Sequence, residues 1–112
     1  MAFETFEELE AWKLARQLKL EIKELVRGFS SDEKYRLVDQ LIRCSRSVGA
    51  NIAEGFGRFH YKENSKFCRN ARGSLMEILN HIIDAHDEGY INQESMMHYR
   101  SKILHANKVL NG

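Results

Sequence analysis

The sequence has no proline, two cysteines and no long apolar run. Without proline, a helix can continue without the kink or break that the proline ring imposes. No apolar stretch approaches the roughly 20 residues that a membrane-spanning helix needs, so we expect no membrane partner. The acidic start MAFETFEELE also lacks the basic region of a signal peptide. These absences favour a cytoplasmic protein built from uninterrupted helices.

Motifs for metal binding and catalysis are also missing. Cys44 and Cys68 are isolated, and cytosolic thiols are normally reduced, so we expect two free thiols. Glu77 and His81 are four residues apart, whereas di-iron bundles use Glu-x-x-His, a spacing of three. Neither cysteine has a histidine beside it in sequence to act as a base. We therefore predict no metal, no cofactor and no enzymatic activity.

The net charge is only +1, but the charged residues are unevenly distributed along the chain. Residues 40–73 carry seven Lys and Arg against two Asp and Glu, a balance of +5. The segments before and after this one each have a balance of −2, with seven cations against nine anions and three against five. Basic charge is therefore concentrated in the middle of the chain, where a polyanion would be the natural ligand.

Apolar residues recur every three or four positions along four stretches, which is the period of an amphipathic helix. Capping-box signatures stand at Thr5 with Glu8 and at Ser30 with Glu33, and Asn92 is a further N-cap. The predicted helices span residues 5–27, 30–57, 61–88 and 92–110. No segment alternates with a period of two. A chain of 112 residues forms one domain, so we predict a single all-α, up-and-down four-helix bundle over residues 1–112.

The second predicted helix carries two distinct faces along the segment LVDQLIRCSRSVGANIAEGFGR, residues 37–58. One face is the core stripe, formed by Val38, Leu41, Ser45, Val48, Ile52 and Phe56. The opposite face is small and polar, with Arg36, Arg43, Ser47, Ala50, Glu54 and the neighbouring Asn51. A face that meets only water would carry more Lys and Glu, so the polar face indicates a second contact surface.

Two motifs carry a resemblance to a known family. The first is Arg43–Ser47–x–x–x–Asn51-Ile52-Ala53-Glu54-Gly55, and the second is Ala71-Arg72-Gly73-Ser74-Leu75-x-Glu77. Together they resemble the four-helix-bundle family of 23S rRNA intervening-sequence proteins, the S23 family, over residues 6 to about 91. Accessory proteins of diversity-generating retroelements are similar. One departure is Gly49, where the family often has proline.

The resemblance implies assembly and a role for the motif residues. The similar retroelement accessory proteins form pentameric rings that bind nucleic acid and a reverse transcriptase. By this likeness we expect a homo-oligomeric ring, with a pentamer favoured. The motif residues Arg43, Ser47, Asn51, Glu54, Arg72 and Glu77 are then expected at polar or interface positions. We expect Glu54 to form a partly buried ion pair with Arg43 or Arg72. Ion pairs of this kind specify the geometry of a contact more than they stabilise it.

The outer side of the third predicted helix supplies the remaining candidates. Its first half carries Lys62, Lys66 and Arg69 on one face, with Arg58 at the preceding turn. Phe59 and Tyr61 stand nearby for stacking on bases. In its second half the same side carries apolar or small residues, which predict an oligomer interface. These interface candidates are Gly73, Met76, Ile83 and Tyr90.

Two functions remain open from the sequence. The first is nucleic-acid binding, with structured RNA such as ribosomal RNA as the expected ligand and DNA as the second candidate. The alternative is a protein-interaction scaffold that binds a protein such as a reverse transcriptase, with an incidental basic surface. Salt-dependent RNA binding would favour the first function, and its absence the second.

Overall fold

The computed structural model describes residues 3–58 and 61–112, and for Tyr61 it describes the backbone alone. Within that part of the chain the regular structure is entirely helical, which confirms the all-α prediction. The four main helices are α1 (Glu10–Leu25), α2 (Asp39–Gly57), α3 (Tyr61–Asp87) and α4 (Gln93–Asn111). Each helix packs against its neighbour in the chain, and α4 also packs against α1. This arrangement is a four-helix bundle of 45 × 25 × 20 Å.

Local capping interactions set the helix ends. The Asn92 side chain accepts a hydrogen bond from the Ser95 N–H at 2.8 Å and starts α4 as predicted. Gly89 follows α3 with a φ of +82°, a left-handed conformation that favours glycine because it has no Cβ. At the other end of the chain, the Glu8 carboxylate accepts from the Thr5 N–H at 3.1 Å. That cap starts a 3₁₀ turn over Phe6–Glu8, so α1 begins later than predicted.

The connection into α2 also differs from the continuous helix that was predicted. A 3₁₀ turn spans Ser31–Glu33, and a π-helix spans Lys34–Val38. The Glu33 carboxylate accepts from the Leu37 N–H at 3.4 Å and satisfies one donor in this widened turn. From Asp39 the chain is regular α-helix to Gly57 and continues through Gly49 without a break.

The core contains most of the predicted stripe residues. The most completely buried large side chains come from all four helices. They are Ile22, Leu41, Val48, Leu75, Ile78, Ile82 and Ile103. Ser45 is also buried, and its hydroxyl donates to the Ile42 carbonyl at 3.0 Å, which satisfies its polar group inside the core. Among the described residues, no helix is long and apolar enough to cross a membrane.

One ion-pair cluster joins the first and last helices. Glu21 of α1 lies 2.8 Å from the Lys102 ammonium and 3.0 Å from His98 Nε2 of α4. Burial alone would raise the pKa of Glu21, but the hydrogen bonds and charges of Lys102 and His98 outweigh burial and lower that pKa. The cluster fixes α4 against α1, and the sequence pattern did not predict it.

Candidate functional site

The basic strip, defined as Arg58, Lys62, Lys66 and Arg69, begins at the end of α2 and follows the first half of α3. Lys62, Lys66 and Arg69 lie at helical spacings of four and three, so they share one face. All four residues are exposed. The Arg69 guanidinium donates to the Ser65 hydroxyl at 3.3 Å, one turn earlier. Phe59 and the side chain of Tyr61, the predicted stacking residues, lie outside the described part of the structure.

Arg58 differs from the other members of the basic strip because it has acidic partners within the chain. Its guanidinium lies 3.8 Å from Glu54 and 4.0 Å from Glu63, and it is placed over the Phe67 ring at 5.7 Å. These contacts orient the side chain across the α2–α3 turn. They also neutralise part of its charge, so Lys62, Lys66 and Arg69 are the members best placed to bind phosphates.

The predicted partly buried pair of Glu54 with Arg43 or Arg72 is wrong within one chain. Glu54 pairs instead with Arg58, one helical turn away, and about half of each side chain is exposed. Arg43 pairs with Asp39 at 3.6 Å, again one turn away and largely in solvent. Arg72 is half-buried. Ion pairs at a spacing of four residues lie on one helix face and need no contact between helices. Glu54 and Arg43 therefore pair with local partners and not with the distant ones that were predicted.

Small polar residues form the actual contact between the two motifs. The Ser74 hydroxyl of α3 donates to the Ser47 hydroxyl of α2 at 2.9 Å. Asn51 donates from its side-chain nitrogen to the Ser47 carbonyl at 2.8 Å and to the Ser47 hydroxyl at 3.1 Å. The two family motifs therefore meet directly, and Ser47 and Asn51 do occupy a polar contact surface. We call this line of residues, continued by Cys44, Glu77 and His81, the polar seam.

Gly55 explains how closely α2 and α3 approach at one end of the polar seam. A Cβ at this position would lie 2.7 Å from the Asn64 side-chain oxygen and 3.0 Å from the Phe67 Cβ. The Asn64 oxygen could turn away, but the Phe67 Cβ is attached to the backbone of α3 and could shift only slightly. The close packing of α3 against α2 therefore favours glycine at this position.

The other end of the polar seam brings Cys44, Glu77 and His81 together. One potential ligand atom from each residue lies within 4.8 Å of the others. Burial, together with the Glu77 charge, raises the pKa of the Cys44 thiol to about 12. A thiol of this kind is protonated at neutral pH, which disfavours nucleophilic catalysis. In the sequence, Glu77 and His81 were paired only as a possible di-iron spacing, and no sequence pattern aligned Cys44 with them.

The predicted interface residues lie in two different environments. Met76 and Ile83 on the outer side of α3 are each 41% exposed, and Gly73 lies exposed on the same side. Tyr90 instead packs within the chain. Its ring stacks on Phe29 with centroids 5.0 Å apart, and its hydroxyl donates to Glu33 at 3.4 Å. Gly89 ends the helical path before Tyr90, so the spacing of seven residues does not carry Tyr90 onto the outer face.

Tyr35 is an exposed aromatic residue that sequence analysis missed. It lies in the π-helix before α2 and is 83% exposed, with the Lys34 ammonium 5.3 Å from its ring centroid. Arg36 beside it is also exposed. The combination Lys-Tyr-Arg was readable in the sequence as a basic group with a stacking residue. It lies at the opposite end of α2 from the basic strip, about 30 Å away at 1.5 Å per residue, so the two surfaces are separate on one chain.

Among curated proteins, none matches this chain. The sequence model of the 23S rRNA-intervening sequence proteins, however, matches residues 7–112. This match includes both motifs that meet in the polar seam, and it extends through α4, beyond the part of the chain that carried the resemblance. The chain therefore belongs to the family of 23S rRNA-intervening sequence proteins.

Proposed function

We propose that this protein is a non-enzymatic, homo-oligomeric RNA-binding protein whose ligand is held on the basic strip. The observation that carries the proposal is the shared exposed face of Lys62, Lys66 and Arg69. They belong to the segment with a balance of +5 in a chain of net charge +1. Cationic side chains of this kind contact backbone phosphates and do not distinguish one base from another. The expected ligands are therefore structured RNA first and DNA second, with little sequence preference.

Oligomerisation would strengthen such binding. The basic strip and the exposed pair Met76 and Ile83 lie along the same outer side of α3, basic in the first half and apolar in the second. If the apolar half packs against another subunit, the basic half remains accessible and is repeated in each copy. Repeated weak contacts to one polyanion raise the apparent affinity well above that of a single strip. A pentameric ring in the cytoplasm is the assembly we propose.

A protein-interaction scaffold is the second candidate, and the exposed apolar side chains of Met76 and Ile83 favour it. In that function the outer side of α3 would bind a protein partner, for example a reverse transcriptase, and the basic strip would only be solvated. The two functions differ in one measurable property. Binding through phosphates releases counterions and is strongly salt-dependent, whereas an apolar protein contact is not.

The test is the fluorescence anisotropy of a labelled structured RNA titrated with the protein at about 50 mM and about 200 mM salt. We expect binding at the lower salt and a steep loss at the higher. On single strands, log K should fall against log salt with a slope of roughly −0.7 for each neutralised phosphate. If the protein does not bind even at the lower salt, the basic strip is a solvated surface and the scaffold function replaces it.

A further inference from the structure

The cluster of Cys44, Glu77 and His81 lies between α2 and α3, away from the basic strip. Cys44 comes from α2 and is buried, with 4% of its surface exposed. Glu77 and His81 lie one turn apart on α3, with the His81 Nε2 3.7 Å from the Glu77 carboxylate. Ligand atoms of all three residues lie within 4.8 Å of one another. Two helices therefore present a sulfur, a nitrogen and an oxygen donor to one point.

This donor set has the chemistry of a zinc site. Zinc accepts cysteine sulfur, histidine nitrogen and carboxylate oxygen, and sites with three protein ligands complete the tetrahedron with water. Bonds of 2.0–2.3 Å place tetrahedral ligands roughly 3.3–3.8 Å apart. Because no distance in the cluster exceeds 4.8 Å, the ligand atoms need to approach one another by no more than about 1.5 Å. Glu77 can supply most of that movement because 52% of its side chain is exposed. A thiolate and a carboxylate would also neutralise the two charges of the ion, which lowers the cost of holding it beside the core.

His81 has the outer partner that metal-bound histidines usually have. While its Nε2 faces Glu77, its Nδ1 lies 3.8 Å from the Asp84 carboxylate. A carboxylate beside Nδ1 fixes the orientation of the ring and holds the proton on Nδ1. The tautomer that results leaves Nε2 free to bind a metal ion. Only 18% of the His81 side chain is exposed, so its packing in the bundle also restricts the ring.

We propose that Cys44, Glu77 and His81 bind one zinc ion per chain, with water as the fourth ligand and Asp84 orienting the His81 ring. The ion would link α2 to α3 beside the contact between Ser47 and Ser74. The Cys44 thiol must lose its proton when the metal binds, so zinc binding becomes tighter as pH rises. The proposal does not depend on RNA binding, because none of these residues belongs to the basic strip.

Cobalt is the probe for the test, since a Co²⁺–thiolate bond gives a charge-transfer absorption that carboxylate and imidazole ligands do not. The metal-free full-length protein is titrated with Co²⁺ and then with Zn²⁺. We expect the thiolate band to saturate at one Co²⁺ per chain and to disappear as Zn²⁺ displaces it. The absence of a thiolate band in the wild-type protein would overturn the proposal.

The variants assign the ligands. Cys44→Ser should lose the band, and His81→Gln should weaken Co²⁺ binding by more than Asp84→Asn. Asp84→Asn should retain the band with affinity lowered roughly ten- to hundredfold, as removal of an outer partner does. Cys68→Ser is the matched control, because Cys68 is the other free thiol and lies outside the cluster; it should bind like wild type.

Circular dichroism shows whether each variant is folded before its affinity is measured. A His81→Gln variant that is folded and binds Co²⁺ as tightly as wild type would contradict the proposed site. A thiolate band that is lost in Cys68→Ser and kept in Cys44→Ser would contradict it equally. If Cys44→Ser does not fold, the wild-type band and the His81→Gln affinity still decide the question.

Discussion

The two sides of α3 are built in different ways. On the outer side, helical spacing alone places the cations Lys62, Lys66 and Arg69 and the apolar pair Met76 and Ile83. These five side chains are exposed. On the inner side, the polar seam is held by specific contacts with α2, such as the bond between Ser47 and Ser74. Substitutions on the outer side should therefore change binding and assembly with little effect on folding. Substitutions along the inner side should do the opposite.

Charged residues in this protein also differ in whether their partners lie on the same helix or on another one. Glu54 forms its pair with Arg58 in solvent, while Glu21 is held between α1 and α4 by Lys102 and His98. Exposed pairs contribute little because water already solvates both charges. A motif position is therefore not by itself evidence that its charge stabilises the fold.

The largest expected effect is the loss of assembly on the outer side. Met76→Glu combined with Ile83→Glu places two charges on the proposed interface, where desolvating them opposes association. We expect monomers in sedimentation velocity and unchanged helical circular dichroism. Leu20→Glu with Met97→Glu is the matched control, because these side chains are similarly exposed at 44% and 46%. If the wild-type protein is already monomeric at tens of micromolar, the proposed interface does not exist.

On the inner side, the largest effect should come from Gly55. Gly55→Val forces a side chain against Asn64 and Phe67, and overpacking of this kind costs about 2 kcal/mol of unfolding free energy. Gly57→Val is the control, since among the described residues no atom beyond the glycine's own helical neighbours lies within 4 Å of a Cβ at that position. Denaturant unfolding measures both variants. Equal midpoints for the two would show that α3 does not approach α2 as closely as described.

A smaller effect should distinguish the two glutamates. We expect Glu21→Gln to lower the unfolding free energy by about 1 kcal/mol, because it weakens charged hydrogen bonds at a partly buried site. Glu54→Gln should cost less than about 0.5 kcal/mol. Denaturant midpoints at neutral pH compare them directly. A larger loss for Glu54→Gln would place that residue in a contact between subunits.

The same variant makes a prediction about pH. Since the folded state lowers the pKa of Glu21, the stabilisation is fully present above the ordinary pKa of the unfolded state and is lost as pH falls through the lower folded pKa. The difference in unfolding free energy between wild type and Glu21→Gln should therefore shrink as the solution is acidified. A difference that stays constant down to strongly acidic pH would contradict the lowered pKa.

The parts of the fold that depend on neighbouring residues could be predicted from the sequence. Core stripes and the Asn92 cap follow from spacing and local hydrogen bonds, and the structure confirms them. Tyr90 was misplaced because the helical period was extended past Gly89, where the backbone changes direction. The ion-pair partners of Glu54 and Arg43 were also mispredicted. Both partners lie one turn away on the same helix, whereas the prediction had placed them further away along the chain.

The contacts between helices could not be predicted in the same way. The sequence shows that Ser47 and Ser74 belong to two motifs, but it does not give the register at which α2 and α3 pack. That register places Ser47 opposite Ser74. It also brings Cys44, three residues before Ser47, close to Glu77, three residues after Ser74. The cluster of Cys44, Glu77 and His81 therefore had no sequence signature, although each of its residues had been considered separately.

The most direct test of the central claim compares two charge-reversed proteins for RNA binding. One carries Lys62→Glu, Lys66→Glu and Arg69→Glu in the basic strip. The control carries Lys13→Glu, Lys23→Glu and Arg100→Glu, which are exposed cations elsewhere and make the same change in formal charge. Fluorescence anisotropy with a labelled structured RNA at about 50 mM salt measures both. We expect the strip variant to lose binding while keeping its assembly, and the control to retain most of its affinity. Equal losses in the two variants would mean that total charge, and not the basic strip, holds the RNA.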